Sequence, residues 1–190
     1  SDHGHDHNPN VGRALEGRTI LGFHYRMNEL QGALGLAQLR KLDYLISEQK
    51  KNKKVIMDAL AAIPGVGFRA KQDPGGDSAT FLAFNFPEEQ IALKFQKLLA
   101  AEGVDTTCYK NNLWHYVPNW EHFLAFSTAN SKKHPFTDPL YKGKVEYLRE
   151  TIPHAEDILG RTLVMGISVK MSSERLDVIR KAIEKAAKNI

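Results

Sequence analysis

The chain has 190 residues, of which 42% are hydrophobic and 25% are charged, values typical of a soluble globular protein. This composition excludes a disordered or low-complexity chain, and no apolar run reaches the roughly 18 residues that a membrane span needs. The single cysteine, Cys108, excludes an intrachain disulfide framework and a cysteine-based zinc site, so the cell interior is the expected location. A net charge of +4 is too mild to indicate nucleic-acid binding.

The first regular element is predicted to be a long helix. Residues 1–22 lack an apolar period and are predicted to form a loop, whereas leucines and isoleucines recur at helical steps over 28–63. Asn28 and Gln31 have the spacing of a capping box at its start, and Pro64 and Gly65 follow its end. The first third of this helix is rich in small residues, namely Gly32, Ala33, Gly35 and Ala37. They predict that another backbone packs closely against it.

Strands and helices alternate along residues 64–190, which predicts a small α/β domain. The predicted strands cover residues 66–70, 80–86, 104–109 and 163–170. A helix over 88–102 is closed by Gly103, and a final helix is capped by Ser172 or Ser173. We expect a loop from a missing large domain at 1–27, a connecting helix at 28–63 and this small domain at 64–190, as in the C-terminal part of a longer protein.

Two charged motifs have alternative interpretations. The basic run 50–54 is predicted to be a solvated helix face, and a nucleic-acid surface is the alternative. The His-rich run 2–7 could bind a divalent metal, which would make the chain a metal-binding or regulatory module. However, its Asp and last His are one residue out of register with the metallo-hydrolase pattern H-x-H-x-D-H, and that shift turns side chains to opposite faces. We therefore expect a polar loop and no metal site.

Polar groups converge just before the long helix. Residues 22–27 bring together an imidazole, a phenol and a guanidinium at a helix start, where backbone N–H groups and the dipole favour anions. Arg26 could pair bidentately with a carboxylate or a phosphate. A purely structural role is equally supported on chemistry alone. In that case His24 has its hydrogen bonds within the loop, and Arg26 pairs with Glu29.

A second candidate loop, residues 111–116, carries polar and aromatic groups in an irregular stretch of the kind that often lines sites. Taken alone, His115 is more often structural than catalytic. The sequence contains no Ser-His-Asp order, P-loop or G-x-G-x-x-G motif, so nucleophilic hydrolysis and mononucleotide binding lack support.

One long motif resembles a family signature. The residues are GFHYRMNELQGALGLAQLRKLDYLI, and the signature is G-x-N-x-R-hydrophobic-x-E-hydrophobic-Q-A-A-L-G-x-x-Q-L-x-x-L-D of the DegT/DnrJ/EryC/StrS aminotransferases. Three further segments are similar to parts of that family, namely DHGHDH, NNLWHYVPNWEHF and IPHAEDILGRTLVMGISVKMSSERLDVIRKAI. The resemblance spans the whole chain.

The resemblance implies the C-terminal small domain of a fold-type I aminotransferase, with a long connecting helix and a small mixed or antiparallel sheet covered by helices. It implies pyridoxal phosphate as cofactor, glutamate as amino donor, a keto or aldehyde sugar as acceptor, and a cytoplasmic homodimer with shared active sites. Family members are about twice as long, and the Schiff-base lysine is expected in the other half. The chain alone is therefore expected to be inactive.

The resemblance also implies roles for individual residues. His24 stands where the family usually has an Asn that contacts the cofactor phosphate from the neighbouring subunit. Tyr25, Arg26 and His115 are implied substrate-binding residues. The segments DHGHDH, KKNKK and WHYVPNWEH are most similar to the branch that aminates an oxidised octulosonate for lipopolysaccharide, and a nucleotide-linked keto sugar is the alternative substrate.

Overall fold

The computed structural model describes residues 10–11, 27–148 and 152–190. The chain divides into two compact units, Ser1–Tyr44 and Leu45–Ile190. The first unit contains helix α1 (Glu29–Leu39), and helix α2 (Leu42–Ala61) begins in it. All of the strands described below belong to the second unit.

Helix α1 begins as predicted. The Asn28 side chain accepts a 2.8 Å hydrogen bond from the Gln31 amide, and the Gln31 side chain accepts a 3.0 Å bond from the Asn28 amide. This exchange confirms the capping box. The close packing expected around the small residues is not seen among the described residues, since a Cβ added at Gly35 would meet no atom within 4 Å. That packing stays a prediction.

Over the residues predicted as one helix, the structure has two, α1 and α2, separated by Arg40 and Lys41. The Lys41 amide donates to the Gln38 carbonyl, three residues back, at 3.0 Å, so the hydrogen bonding tightens to the 3₁₀ pattern there. Neither glycine nor proline marks the break.

The second unit contains a four-stranded antiparallel sheet. The strands are β1 (Gly67–Phe68), β2 (Phe81–Asn85), β3 (Thr107–Cys108) and β4 (Thr162–Gly166). Their order is β1-β2-β4-β3, with Ala83 opposite Val164 in the central pair. The strands match the predicted positions but are shorter, and the α/β class with an antiparallel sheet is confirmed.

The remaining helices of the second unit are α3 (Glu89–Ala101), α4 (Glu121–Leu124), α5 (Pro153–Gly160) and α6 (Ser173–Ala187). Two 3₁₀ turns cover Tyr109–Asn111 and Val117–Asn119. Gly103, at φ +71°, follows α3, and Ser172 caps α6 by accepting a 3.2 Å bond from the Arg175 amide. Both predicted helix ends are thus confirmed.

The core lies on one face of the sheet. Alternate residues of β2 and β4 point into it, as a two-residue period requires, and they pack with α2, α3 and α6. Phe86 and Phe95 meet at a ring-centroid distance of 4.9 Å at its centre. The opposite face carries Ala83, Asn85 and Val164, which are only partly buried. We call this second surface the open face.

Candidate functional site

The residues expected to contact the cofactor phosphate and the sugar, His24, Tyr25 and Arg26, lie outside the described residues, as does the His-rich run 2–7. The structure does describe the next element along the chain, the capped start of α1. The capping box uses the Asn28 and Gln31 amides. The first amides of any helix have no intrahelical acceptor, so the start of α1 offers backbone N–H donors shortly after the predicted anion-binding residues in the sequence.

His115, the fourth predicted site residue, is exposed on the loop after β3. Its backbone amide and that of Trp114 both donate 2.8 Å hydrogen bonds to the Asn112 side chain. Its imidazole meets the Tyr109 ring edge-on at 6.2 Å between centroids. The His115 ring is therefore exposed to solvent, on a loop whose backbone is held by hydrogen bonds.

Polar side chains also hydrogen-bond the backbone carbonyls of this loop. Asn119 Nδ2 donates to the carbonyls of Lys110 and Asn112 at 2.9 and 3.1 Å. Trp120 Nε1 donates to the Trp114 carbonyl at 3.2 Å, while the Trp114 side chain is 81% exposed. These bonds satisfy backbone groups that no strand or helix pairs, which makes the irregular segment a defined scaffold.

A charged cluster anchors this scaffold, and sequence reasoning did not identify it. Lys110 Nζ lies 2.7 Å from Glu89 Oε2 on α3 and 3.7 Å from Glu156 Oε1 on α5. The hydrogen bond to Glu89 raises the pKa of Lys110. Burial, followed by the charge of Glu156, raises the pKa of the neighbouring Tyr116 hydroxyl. No single motif signals this cluster, because its members come from three separate elements.

A cavity of about 460 Å³, which we call the open-face groove, lies on the open face of the sheet beside Tyr109. It is lined by Arg69, Phe81, Ala83, Phe84, Asn85, Tyr109, Ile158, Leu159, Arg161, Thr162 and Val164. Since Tyr109 also contacts His115, the predicted substrate residue lies next to this groove.

The groove combines an apolar floor with guanidinium groups. Arg69 stacks over the Phe81 ring at 5.0 Å. Arg161 is held by Asp157 at 3.1 Å and by the Phe86 carbonyl at 3.2 Å, and the Asn85 amide bridges Arg161 and Gly67. Such a surface suits a small ligand with apolar area and a negative group. Arg69 follows β1 and Arg161 precedes β4, so the pairing of both strands with β2 brings the two residues to one groove, and no sequence spacing indicates that juxtaposition.

A second, larger cavity of about 690 Å³ lies in the least regular part of the chain. Its wall includes Phe123, Phe136 and Tyr147, whose ring centroids lie 5.2 to 5.9 Å apart. His122 and Lys144 also line it. Aromatic walls with a few polar groups are typical of small-molecule sites.

Within residues 10–11, 27–148 and 152–190, no group of three His, Cys, Asp or Glu residues is placed to hold a metal ion. In the same ranges, no helix has the length and apolar character needed to cross a membrane.

Comparison with known proteins identifies relatives of the sequence and of the fold. The profile of the DegT/DnrJ/EryC1/StrS aminotransferase family matches residues 1–135. Helicobacter pylori PseC, an aminotransferase involved in the biosynthesis of pseudoaminic acid, superposes with a TM-score of 0.59 at 16% identity over 99% of this chain and 44% of its own. DesV of S. venezuelae, solved in complex with a ketimine intermediate, superposes with a TM-score of 0.60 at 18% identity. The match covers 94% of this chain and 42% of DesV.

A third solved structure is of a pyridoxal-phosphate form. The putative sugar aminotransferase Spr1654 of Streptococcus pneumoniae, in its PLP-form, superposes with a TM-score of 0.58 at 14% identity. The match covers 98% of this chain and 41% of Spr1654. The chain thus spans about two fifths of the length of these structures, and at such identities the likeness shows a shared fold.

Proposed function

Because the chain belongs to the DegT/DnrJ/EryC1/StrS aminotransferase family, we propose that it is the C-terminal part of a pyridoxal-phosphate-dependent sugar aminotransferase. The observation that carries this proposal is the family match over residues 1–135, which includes residues 22–27 and helix α1. The antiparallel sheet and its covering helices, shared with PseC and DesV, support the same assignment.

The donor set of this chain fits the phosphate of pyridoxal phosphate. His24 supplies an imidazole, and the first-turn amides of α1 come shortly after it in the chain. We propose that His24 donates to the phosphate from the neighbouring subunit and so fixes the position of the cofactor. When bound, pyridoxal phosphate supplies the electron sink for amino transfer. The Schiff-base lysine is proposed to come from the half of the protein that precedes this chain.

The proposed amino donor is glutamate and the proposed acceptor is a keto or aldehyde sugar. Arg26 would bind a substrate carboxylate through its planar fork, with Tyr25 beside it and His115 at the sugar side. The exposed imidazole of His115, next to the open-face groove, supports this placement. Among sugars we favour an octulosonate for lipopolysaccharide, with a nucleotide-linked keto sugar of surface-glycan synthesis as the alternative, and both would be used in the cytoplasm.

The exposed leucines of α1 support the proposed homodimer with shared active sites. Leu30, Leu34 and Leu39 are 78%, 59% and 68% exposed, and Met27 just before them is 71% exposed. Side chains of this kind are rarely left in water on one helix, because burying each would gain about 1.5–3 kcal/mol. The second subunit or the preceding half of the protein would cover them.

The test uses the protein that carries this chain together with its proposed lysine-bearing half. We expect it to form 2-oxoglutarate from glutamate, to aminate an octulosonate aldehyde or a nucleotide-linked keto sugar, and to show a visible absorption band with pyridoxal phosphate. The 190-residue chain alone should show neither the band nor turnover. Turnover by the chain alone would refute our placement of the lysine.

Site variants of the same protein test the residue roles. His24→Ala should weaken cofactor retention by about 1–2 kcal/mol, the scale of one hydrogen bond to a charged group. Arg26→Lys keeps the charge but loses the fork, so it should raise KM for one acidic substrate with little change in Tm. His154→Ala, on the exposed surface of α5, is the matched control. Cofactor affinity in His24→Ala equal to that of the control would contradict the assigned contact.

A further inference from the structure

The basic run 50–54 has no role in the proposed function, and the structure shows that it is not simply a solvated helix face. Asn52 and Lys53 are buried, with exposed fractions of 2% and 6%. Asn52 Nδ2 donates to the Ser168 carbonyl at 2.9 Å. The prediction of a solvated helix face therefore holds for Lys50, Lys51 and Lys54 but is wrong for Asn52 and Lys53, because α2 turns these two towards the body of the second unit.

Three ammonium groups converge where the run meets the loop before β2. Lys53 and Lys71 both lie 2.7 Å from the same atom, Asp77 Oδ2. Lys50 Nζ donates to the Gly75 carbonyl at 2.7 Å. The Asp77 carboxylate thus contacts two lysines, and a third, Lys50, donates to a backbone carbonyl of the same loop. Each ammonium has three N–H donors, of which these contacts occupy one.

These groups border a cavity of about 190 Å³, which we call the lysine pocket. Its lining is Lys50, Lys53, Lys54, Met57, Lys71, Pro74, Asp77 and Ala79. At about 30 Å³ for each water molecule, it has room for about six waters, or for one phosphate group with part of its hydration shell. Lys53 is 7% and Lys71 26% exposed, so their excess positive charge lies in a poorly solvated place. An anion bound in the pocket, in addition to the Asp77 carboxylate, would neutralise this excess charge.

We propose that the lysine pocket binds a phosphate group, either as inorganic phosphate or as the phosphate of a small metabolite. The site does not depend on the proposed function, since every residue in it lies within the second unit. A recess with Lys50, Lys53 and Lys71 around it matches the compact charge and the acceptor oxygens of phosphate.

The pairing of the other two lysines of the run, Lys54 at the edge of the pocket and Lys51 outside it, argues against a nucleic-acid surface. Lys54 is 2.7 Å from Asp58, and Lys51 is 3.8 Å from Glu48, so these exposed lysines are paired with acidic residues on their own helix. Nucleic-acid binding usually uses an extended stripe of unpaired positive charge along the surface.

The test is a titration of the 190-residue chain with inorganic phosphate at constant ionic strength, followed by calorimetry and by the backbone amide signals of residues 71–79. We expect saturable one-site binding. Lys50→Gln and Lys71→Gln should each raise Kd about tenfold, the effect of losing one charge-assisted hydrogen bond. The matched control Lys51→Gln, outside the pocket, should change Kd by less than about twofold.

Parallel titrations separate the sources of the group. Tighter binding of glucose 6-phosphate than of inorganic phosphate would assign the site to a phosphorylated metabolite, and equal or weaker binding would assign it to the free ion. The proposal is overturned by an absence of saturable binding up to about 10 mM phosphate, by an equal effect of Lys51→Gln and Lys50→Gln, or by preference for a duplex oligonucleotide with a steep salt dependence. The thermal unfolding of each variant is measured first, and only variants with the wild-type Tm are titrated.

Discussion

Lys53 donates a 2.7 Å hydrogen bond to the carboxylate of Asp77, 24 residues along the chain. The two side chains are 7% and 15% exposed, and they join the middle of α2 to the loop that precedes β2. An ammonium in such a place is stable only with a partner, because removing one member of a buried pair leaves an uncompensated charge. The pair therefore fixes the position of this loop.

Replacing Asp77 should destabilise the second unit. In Asp77→Asn the ammonium of Lys53 keeps its burial but loses its counter-charge, and we expect the free energy of unfolding to fall by about 1–3 kcal/mol. Asp58→Asn is the matched control, since Asp58 is 57% exposed and pairs with Lys54 on the helix surface. We expect that control to lose less than about 0.5 kcal/mol in urea unfolding. Equal losses in the two variants would show that burial of the Lys53 pair has no effect.

The same pair predicts a pH dependence. Hydrogen bonds from Lys53 and then Lys71 hold the pKa of Asp77 well below its usual range. Because the pKa in the folded chain is below the unfolded value of about 3.9, the stabilisation is complete above about pH 5 and is lost as the pH falls through 3.9 towards the folded pKa. The free energy of unfolding, measured at about pH 6 and pH 3, should fall less in Asp77→Asn than in the wild type. Identical slopes in the two proteins would contradict this prediction.

Tyr116 offers a test of an unpaired hydroxyl. Its side chain is 3% exposed, and its oxygen, although beside the Glu156 carboxylate, makes no well-aligned hydrogen bond within the part of the chain that the structure describes. Since the hydroxyl carries a desolvation cost without a compensating bond, Tyr116→Phe should be neutral or stabilising by up to about 1 kcal/mol. Tyr116→Ala, which also removes the ring, should lose about 3–5 kcal/mol. A clear loss of stability in the Phe variant would mean that the hydroxyl does have a partner.

The capping box predicts a local effect at α1. Asn28→Ala removes the acceptor of the Gln31 amide, so the first turn should lose about 1 kcal/mol of helix stability. Faster hydrogen exchange at Gln31 and its neighbours would report the loss. Asn28→Ser retains a capping oxygen and should exchange close to the wild-type rate. Unchanged exchange in the Ala variant would show that α1 starts without help from Asn28.

Features set by local chemistry could be predicted from the sequence. The start of α1, the end of α3 before Gly103 and the Ser172 cap of α6 each depend on residues within one helical turn, and all three are confirmed. The position of β4 in the sheet, between β2 and β3, could not be predicted from the sequence. That position depends on pairing between strands that are far apart in the chain.

The failures of sequence reasoning also have physical causes. The tightening at Lys41 involves no residue type that breaks helices, so no signal marked it. The burial of Lys53 could not be predicted, because a lysine in a basic run is normally exposed. It is buried here only because the loop that carries Asp77 packs against it. Of the four predicted site residues, His115 is exposed beside the open-face groove, and the roles of His24, Tyr25 and Arg26 stay predictions.

The order of the strands has a consequence for biosynthesis. Within the part of the chain that the structure describes, β2 pairs with the two-residue β1 and with β4, the latter from Phe81↔Gly166 to Asn85↔Thr162. A ribosome adding about 5–20 residues per second needs several seconds to pass from β2 to β4. During that time the nascent sheet holds at most a short β-hairpin, which is too small to be stable alone. The sheet therefore assembles only when β4 has been made, and a stop codon ahead of β4 would leave β3 without its strand partner.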